Sequence, residues 1–354
     1  MEAATTLDPD RSDVLGRLRD VSRERGATDV ASRLADLKAW IAADLLEVEG
    51  VLAALDGPAT PAFRSARHLL DLGGKRLRPL CVLVASRFGT PGPEARELAV
   101  AAELVHAATL LHDDVVDLGD KRRGAPAARV IYGNAASIFG GDWLLVEALG
   151  HVRRSGFPDL LDGALGVLRE MLRAESFQLA SRGRVDLTVD DYFFVARGKT
   201  ASLFRWALVA GARAAGLSES DSARLGAYGE DLGVAFQVVD DVLDVSGDPR
   251  VVGKTMLSDL REGKVTYPLL LALERDGRLA SVVAEAAREG DGELPEDVRA
   301  LVARRVHETG AVEDARALAR SLTERAESAL GPLPDGRAKD ALVAVAQTVA
   351  SRKE

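Results

Sequence analysis

Asp113, Asp114 and Asp117 close an apolar run at His112-Asp113-Asp114-Val115-Val116-Asp117, and Asp240-Asp241-Val242-Leu243-Asp244 repeats the spacing far downstream. On a helix, carboxylates three and four residues apart share a face, so each triplet is expected to converge near one point. Like charges at that spacing repel by roughly 0.2–0.5 kcal/mol per pair, and the negative end of a helix dipole adds to the cost. A cation is therefore expected at each tip. With no cysteine and one adjacent histidine, the donors are oxygen alone, which points to Mg²⁺ completed by water and phosphate. One such motif reads equally well as a solvated helix end. Two copies, each closing an apolar helix, point to carboxylates that face each other around a polyanion, of which a diphosphate is the natural one.

The elements that must carry these tips are helices. Pro93 sits at a first-turn position, Glu94 to Val116 is apolar, and Gly119 supplies a stop. The second tip ends a helix that Ser218-x-x-Asp221 opens and Ser246-Gly247 closes. Leu34, Leu37, Ile41, Leu45 and Val48 keep a helical period to about Leu55, and another helix is expected over Phe63 to Leu72. Breaks fall near Gly89–Pro93, Gly119–Pro126, Gly183–Thr188, Gly216–Ser220, Ser246–Asp259, Gly290–Pro295 and Gly331–Gly336. Alanine, leucine, arginine and glutamate dominate, so the chain reads as all-α.

Residues 1–32 are charged and lack a sustained apolar period, and they read as an extension; 33–354 read as one domain. A net charge of −9 argues against a nucleic-acid partner. Cys81 alone cannot build a disulfide framework. The N-terminus lacks a secretory apolar segment, and runs such as Leu98 to Leu111 are interrupted by Glu103 and His106, so a cytoplasmic protein without a membrane span is expected.

Cations and polar groups lie between the helices. In Gly73-Gly74-Lys75-Arg76-Leu77-Arg78-Pro79, two glycines let backbone approach an anion and three cations follow. Alone, this is also what a basic solvated loop looks like. Lys199-Thr200 follows Gly198, and Phe236-Gln237 lies one turn before Asp240, so these polar groups need partners in apolar surroundings. Ser246 to Thr266, with Gly253-Lys254 and Glu262-Gly263-Lys264, reads as a mobile lid, and Glu175 and Gln178 are equally cavity-lining or surface residues.

With Arg122-Arg123-Gly124, these motifs and their order resemble the trans-isoprenyl diphosphate synthases, in particular the long-chain octaprenyl-like members, from about Leu34 to the end. The resemblance implies an all-α isoprenoid synthase fold of ten or more mostly antiparallel helices around a deep central cavity. It implies that Lys75, Arg78, His106 and Arg123 bind isopentenyl diphosphate. Arg122, Lys199, Thr200, Gln237 and Lys254 would bind the allylic diphosphate. Up to three Mg²⁺ ions would bridge substrate to Asp113, Asp117, Asp240 and Asp244, with Asp114 and Asp241 completing the catalytic set. A homodimer is the usual assembly, and a long product would partition to a membrane.

In that family, bulk four or five residues before the first aspartate stops elongation early. Ala108, Thr109 and Val105 therefore imply an open tunnel and a long product, with Phe139 as a floor, although core packing explains Phe139 as well. A shorter-chain synthase is the alternative. A terpene cyclase does not fit, because its second metal motif is not D-D-x-x-D, and a non-catalytic subunit usually loses one of the motifs. Glu103-x-x-His106 also has the spacing of a di-iron bundle, but none of His68, His112, His151 and His307 follows a Glu by three residues.

Overall fold

The computed structural model describes residues 28–246, 256–288 and 295–351, and helices carry nearly all of them. Their contacts divide into two compact units. One takes in the chain up to Leu161 with Ala207–Glu219 and Pro334–Ala344; the other takes in Asp162–Trp206, Ser220–Leu333 and the chain from Val345. The boundaries at 161/162, 206/207, 219/220 and 344/345 fall inside helices, and the one at 333/334 falls between helices. Of the expected extension, residues 1–27 lie outside the described residues, and a helix already begins at Thr28.

The first unit contains α1 (Thr28–Ala54), α2 (Pro61–Asp71), α3 (Leu77–Ser86), α4 (Pro93–Val116), α5 (Ala128–Tyr132) and α6 (Asn134–Arg154). Helix α4 is its centre and packs against each of the other five. Alanines make this close approach possible: Ala99, Ala101, Ala102 and Ala108 are all 0% exposed, as are Leu104 and Leu111. An apolar perimeter on nearly all sides is the signature of a buried helix. What solvent reaches is one stripe, in which His106, Thr109, Leu110, Asp113 and Asp117 are half-buried.

The end of α4 differs from the expected glycine stop. The left-handed residue is Leu118, at φ 54°, while the Gly119 N–H donates to the Asp114 carbonyl at 2.9 Å. This is a Schellman closure with a leucine where glycine is usual, at a cost of roughly 1–2 kcal/mol. Gly119 is needed one position later, where a Cβ would lie 3.3 Å from Asp114 Oδ1. Arg129 fastens the loop by donating to the Leu118 and Gly119 carbonyls and to Asp120.

The second unit holds most of α7 (Pro158–Ala180), α8 (Val189–Ala196), a π-helical turn (Arg197–Ala201) and the start of α9 (Ser202–Ala214). After them come α10 (Glu219–Ser246), α11 (Ser258–Arg261), α12 (Tyr267–Arg275), α13 (Leu279–Arg288), α14 (Glu296–Glu308), α15 (Ala311–Ala329) and the end of α16 (Arg337–Ser351), whose start belongs to the first unit. Helix α12 is packed by α8, α13, α14 and α15. Helix α10 has the bounds its caps indicate, and its partly accessible residues near the tip are Phe236, Gln237 and Asp240. Gly247–Thr255, in the expected lid, lie outside the described residues. The rest of that stretch is anchored through α11, as shown below.

Candidate active site

In the first unit the basic motifs are organised around His106. Between α4 and α5 the chain forms a two-stranded hairpin, β1 (Lys121–Arg122) and β2 (Ala125–Pro126), with Arg122 opposite Ala125. Its two-residue loop is Arg123-Gly124, both at positive φ, the backbone that a tight hairpin turn needs. Arg123 accepts the strain of a left-handed non-glycine residue there. Its guanidinium rests on Gly74, where a Cβ would come within 2.8 Å of Arg123 Nη2. Gly74 therefore makes room for Arg123, while Gly73, at φ 70°, turns the chain after α2. Burial, and then the charges of Arg78, Arg123, Arg122 and Arg76, hold the His106 imidazole well below its ordinary pKa. A neutral histidine beside several guanidinium groups offers a hydrogen-bonding imidazole in a field of positive charge.

Arg76 departs from the sequence reading. It is 6% exposed, donates to Glu49 at 2.6 Å and 3.0 Å, and pairs with Glu103, itself 3% exposed. Burial works to lower its pKa, but the two glutamates outweigh it and raise the value. Arg76 is thus a structural ion pair rather than a third phosphate cation; removing one partner of such a pair costs about 3–5 kcal/mol. The same contact takes Glu103 away from any Glu-x-x-His metal site. Lys75 is exposed and Arg78 half-buried.

The aspartates of the first tip do not converge as expected. Asp113 and Asp117 stay on the accessible stripe, and the Asp117 N–H donates to the Asp113 carbonyl at 2.8 Å. Asp114 turns inward to 1% exposure and is held by Arg122 Nε at 3.0 Å. Burial keeps its carboxyl above the usual carboxylate range against the pull of Arg122. Arg122, which the resemblance assigns to the allylic diphosphate, is thereby bound to Asp114. His112 points away from the stripe, toward the Ile138 carbonyl at 3.1 Å and Asp142 at 3.3 Å.

The residues expected along a tunnel differ in burial. Ala108 and Val105 are 0% and 4% exposed, packed into the core of the unit, whereas Thr109 stays half-buried on the stripe between His106 and Asp113. Phe139, the expected floor, is 61% exposed on α6 together with Ile138 and Val146. The period of a helix shows which residues share a face but not which face the neighbours cover.

In the second unit the site is built where the π turn lies beside α7 and α10. Gly198 allows this approach, since a Cβ there would stand 2.7 Å from that of Ala174 and 2.9 Å from the Glu170 carbonyl. A π segment of this kind is common at functional positions, and here it carries Lys199 and Thr200. Lys199 reaches Glu175 at 2.6 Å and Gln178 at 3.3 Å. Thr200 Oγ1 donates to Gln237 Oε1 at 2.8 Å, and Gln237 Nε2 donates to Asp241 Oδ1 at 2.9 Å. The Tyr267 N–H, at the first turn of α12, donates to the other Asp241 oxygen at 3.2 Å.

Asp241 is 2% exposed, and its pKa is pushed up to about 7, first by burial and then by the charge of Asp259. A cavity of about 110 Å³ opens beside it, lined among others by Tyr192, Lys199, Gln237, Asp259 and Lys264. Asp244 is held by α11: Ser258 donates to Oδ1 through N–H at 3.0 Å and through Oγ at 2.6 Å, and the Asp259 N–H donates to Oδ2 at 3.3 Å. It caps α11 and anchors the described end of the expected lid. Lys264 pairs with Glu262 at 2.7 Å. Lys254 lies outside the described residues.

Among the described residues no three His, Cys, Asp or Glu side chains form a ready-made metal cage. Asp113 with Asp117 on one tip, and Asp240 on the other, remain half-buried carboxylates of the kind a hard divalent ion takes in ones and twos. Sequence reasoning left out Tyr192 and Tyr267, which stand around Asp241. The signal available for Tyr192 is the capping box Thr188–Asp191 just before it, which fixes the start of α8.

Residues 62–304 match the polyprenyl synthetase family model, more than half of the chain. The chain is similar to heptaprenyl diphosphate synthase component 2 of Geobacillus stearothermophilus, 35% identical over 90% of this chain and 99% of that one. It is similar to octaprenyl diphosphate synthase of Escherichia coli K12, 34% identical over 80% and 88%. Among solved structures it is similar to a polyprenyl synthase from Caulobacter crescentus CB15 in complex with calcium and isoprenyl diphosphate. There the TM-score is 0.85 at 34% identity, covering 90% of this chain and 97% of the other, and the all-α fold is shared.

Proposed function

The chain belongs to the polyprenyl synthetase family, and on that footing we infer that it is a Mg²⁺-dependent trans-polyprenyl diphosphate synthase. It condenses isopentenyl diphosphate with an allylic diphosphate to a long-chain all-trans product. The observation that carries this reading is that both units offer half-buried aspartates with a cationic group on the neighbouring turns. In the first, Asp113 and Asp117 share a stripe with His106 and its arginines; in the second, Asp240 follows Gln237 and the Lys199 turn.

The residue roles follow from charge. Asp113, Asp117 and Asp240 would hold the ions; Asp244, its oxygens engaged by α11, supports the tip from behind. Bound Mg²⁺ neutralises the charge that builds on the leaving diphosphate. Lys199 and Arg122, with Lys254, bind the same group as the allylic C–O bond breaks and its electron pair departs with the diphosphate. The Thr200 hydroxyl and the Gln237 amide oxygen offer dipoles to the allylic carbocation without the nucleophilicity of a free carboxylate. Lys75, Arg78, Arg123 and neutral His106 hold isopentenyl diphosphate while its alkene forms the new C–C bond. Proton loss then restores a double bond, and the departed diphosphate is the base.

Elongation runs along the stripe past Thr109, and a bulky residue there shortens the product. A homodimer fits the exposed apolar residues Ile138, Phe139 and Val146 of α6. No helix among the described residues is long and apolar enough to cross a membrane, and the product itself partitions to lipid.

The test incubates the purified chain alone with isopentenyl diphosphate, an allylic primer and Mg²⁺, then chromatographs the dephosphorylated products. A ladder ending in a long all-trans chain is expected. Cyclised terpenes, or elongation only after a second protein component is added, contradict the reading. Thr109→Phe is expected to end the ladder several units earlier. Ala108→Phe overpacks a filled core instead, lowering stability by about 1–3 kcal/mol.

A further inference from the structure

Tyr192 is a polar side chain to which the roles above give nothing to do. It lies in the first turn of α8, whose start is fixed by the box in which Asp191 N–H donates to Thr188 Oγ1 at 3.2 Å and Thr188 N–H to Asp191 Oδ2 at 2.9 Å. Its ring packs against Phe193 at 5.5 Å and Tyr267 at 5.2 Å between centroids. The ring is thus held by neighbours that a phenylalanine would satisfy equally. The hydroxyl is not: it is buried without a well-formed hydrogen bond, and the carboxylate it faces is Asp241. Leaving a buried hydroxyl unpaired costs about 1–3 kcal/mol, and hydrogen bonds of a catalytic site are often loose until substrate tightens them.

Asp241 is already held by α12 through the Tyr267 N–H and by the Gln237 amide. The Gln237 amide can take either of two orientations unless its neighbours choose one. Asp241 accepts from its nitrogen, so the oxygen turns to the Thr200 hydroxyl.

We infer that Tyr192 is a positioning residue for prenyl transfer: its hydroxyl locks the Asp241 carboxylate, which sets the Gln237 amide so that the Thr200–Gln237 pair presents its dipoles to the reacting carbon. The inference rests on the synthase reading above. Tyr192 acts through Asp241 and Gln237 on the chemical step rather than on binding.

The experiment is a double-mutant cycle of Tyr192→Phe and Gln237→Ala in the elongation assay, with kcat and KM for both substrates and thermal unfolding of each variant. In the otherwise wild-type chain, Tyr192→Phe is expected to lower kcat about tenfold, the scale of one misplaced hydrogen bond. Both KM values should move less than about twofold and the Tm should hold. In the Gln237→Ala background the same change should lower kcat less than about twofold, because its route of action is gone. An unchanged kcat in Tyr192→Phe, an equal factor in both backgrounds, or a Tyr192→Phe protein that does not fold overturns the inference. If the wild-type chain itself makes no elongated product, the synthase reading fails; an active wild type with an indifferent Tyr192→Phe defeats the positioning role alone.

Discussion

The two aspartate tips share a sequence pattern but not a construction. In the first, the middle carboxylate, Asp114, is buried on the guanidinium of Arg122, a formal countercharge delivered by the hairpin. In the second, the middle carboxylate, Asp241, is buried among neutral donors, the Gln237 amide and the Tyr267 N–H, beside the Tyr192 phenol. The last positions differ as well. Asp117 is a half-buried helix cap, while Asp244 is 9% exposed and caps α11. One D-D-x-x-D therefore offers its first and last carboxylates, and the other offers chiefly its first. The middle aspartate of both is buried and hydrogen-bonded within the fold. Repetition in sequence marks a shared task, and the local neighbours decide how many carboxylates remain for it.

This contrast is broken most readily by removing the outward carboxylates. Asp113→Ala or Asp240→Ala is expected to lower kcat by about three orders of magnitude or more, on the scale of lost charge stabilisation at a transition state, with Tm unchanged. Either variant retaining near-normal turnover in the elongation assay would remove its tip from the reaction.

The last positions sharpen the contrast. Asp244→Ala strips the cap from α11 and should cost about 1–3 kcal/mol in denaturant unfolding, whereas Asp117→Ala should leave stability nearly unchanged and act on turnover. The reverse order would mean that Asp117 is the structural residue.

The smallest effect expected concerns protons. Asp241, with a pKa of about 7 in the fold against about 4 in an unfolded chain, binds more protons folded than unfolded between those values. Stability of the metal-free protein should therefore fall as pH rises from 4 toward 7 on account of this group, and level off above. Asp241→Asn should flatten that slope; a slope unchanged by the substitution would place the proton elsewhere.

Much of this was legible in the sequence because it is local. Pro93, Ser218 and two long apolar runs delimit α4 and α10, and the spacing of the aspartates puts them on helix ends whatever surrounds them. What the sequence hid depends on distant partners. Arg76 looks like Lys75 and Arg78 until Glu49 and Glu103 claim it. Asp114 looks like Asp113 until Arg122 turns it inward. Ala108 and Thr109 are adjacent in sequence, but neighbours cover α4 except along one stripe, so Ala108 is core and Thr109 lies on the stripe. The glycines of Gly73-Gly74 look like an anion cradle, and one of them serves instead to seat Arg123. The role of Tyr192 was hidden because an aromatic residue in the first turn of an apolar helix reads as packing, and its ring does pack.

The central claim is that the two acidic tips serve a single reaction. The direct measurement is single-turnover prenyl transfer by Asp113→Ala, Asp240→Ala and the double variant at saturating substrate and Mg²⁺. Groups acting as one unit give effects far from additive, so the double variant is predicted to be no more than a fewfold slower than the worse single variant. A double variant slowed by the full product of the two single factors would contradict the claim.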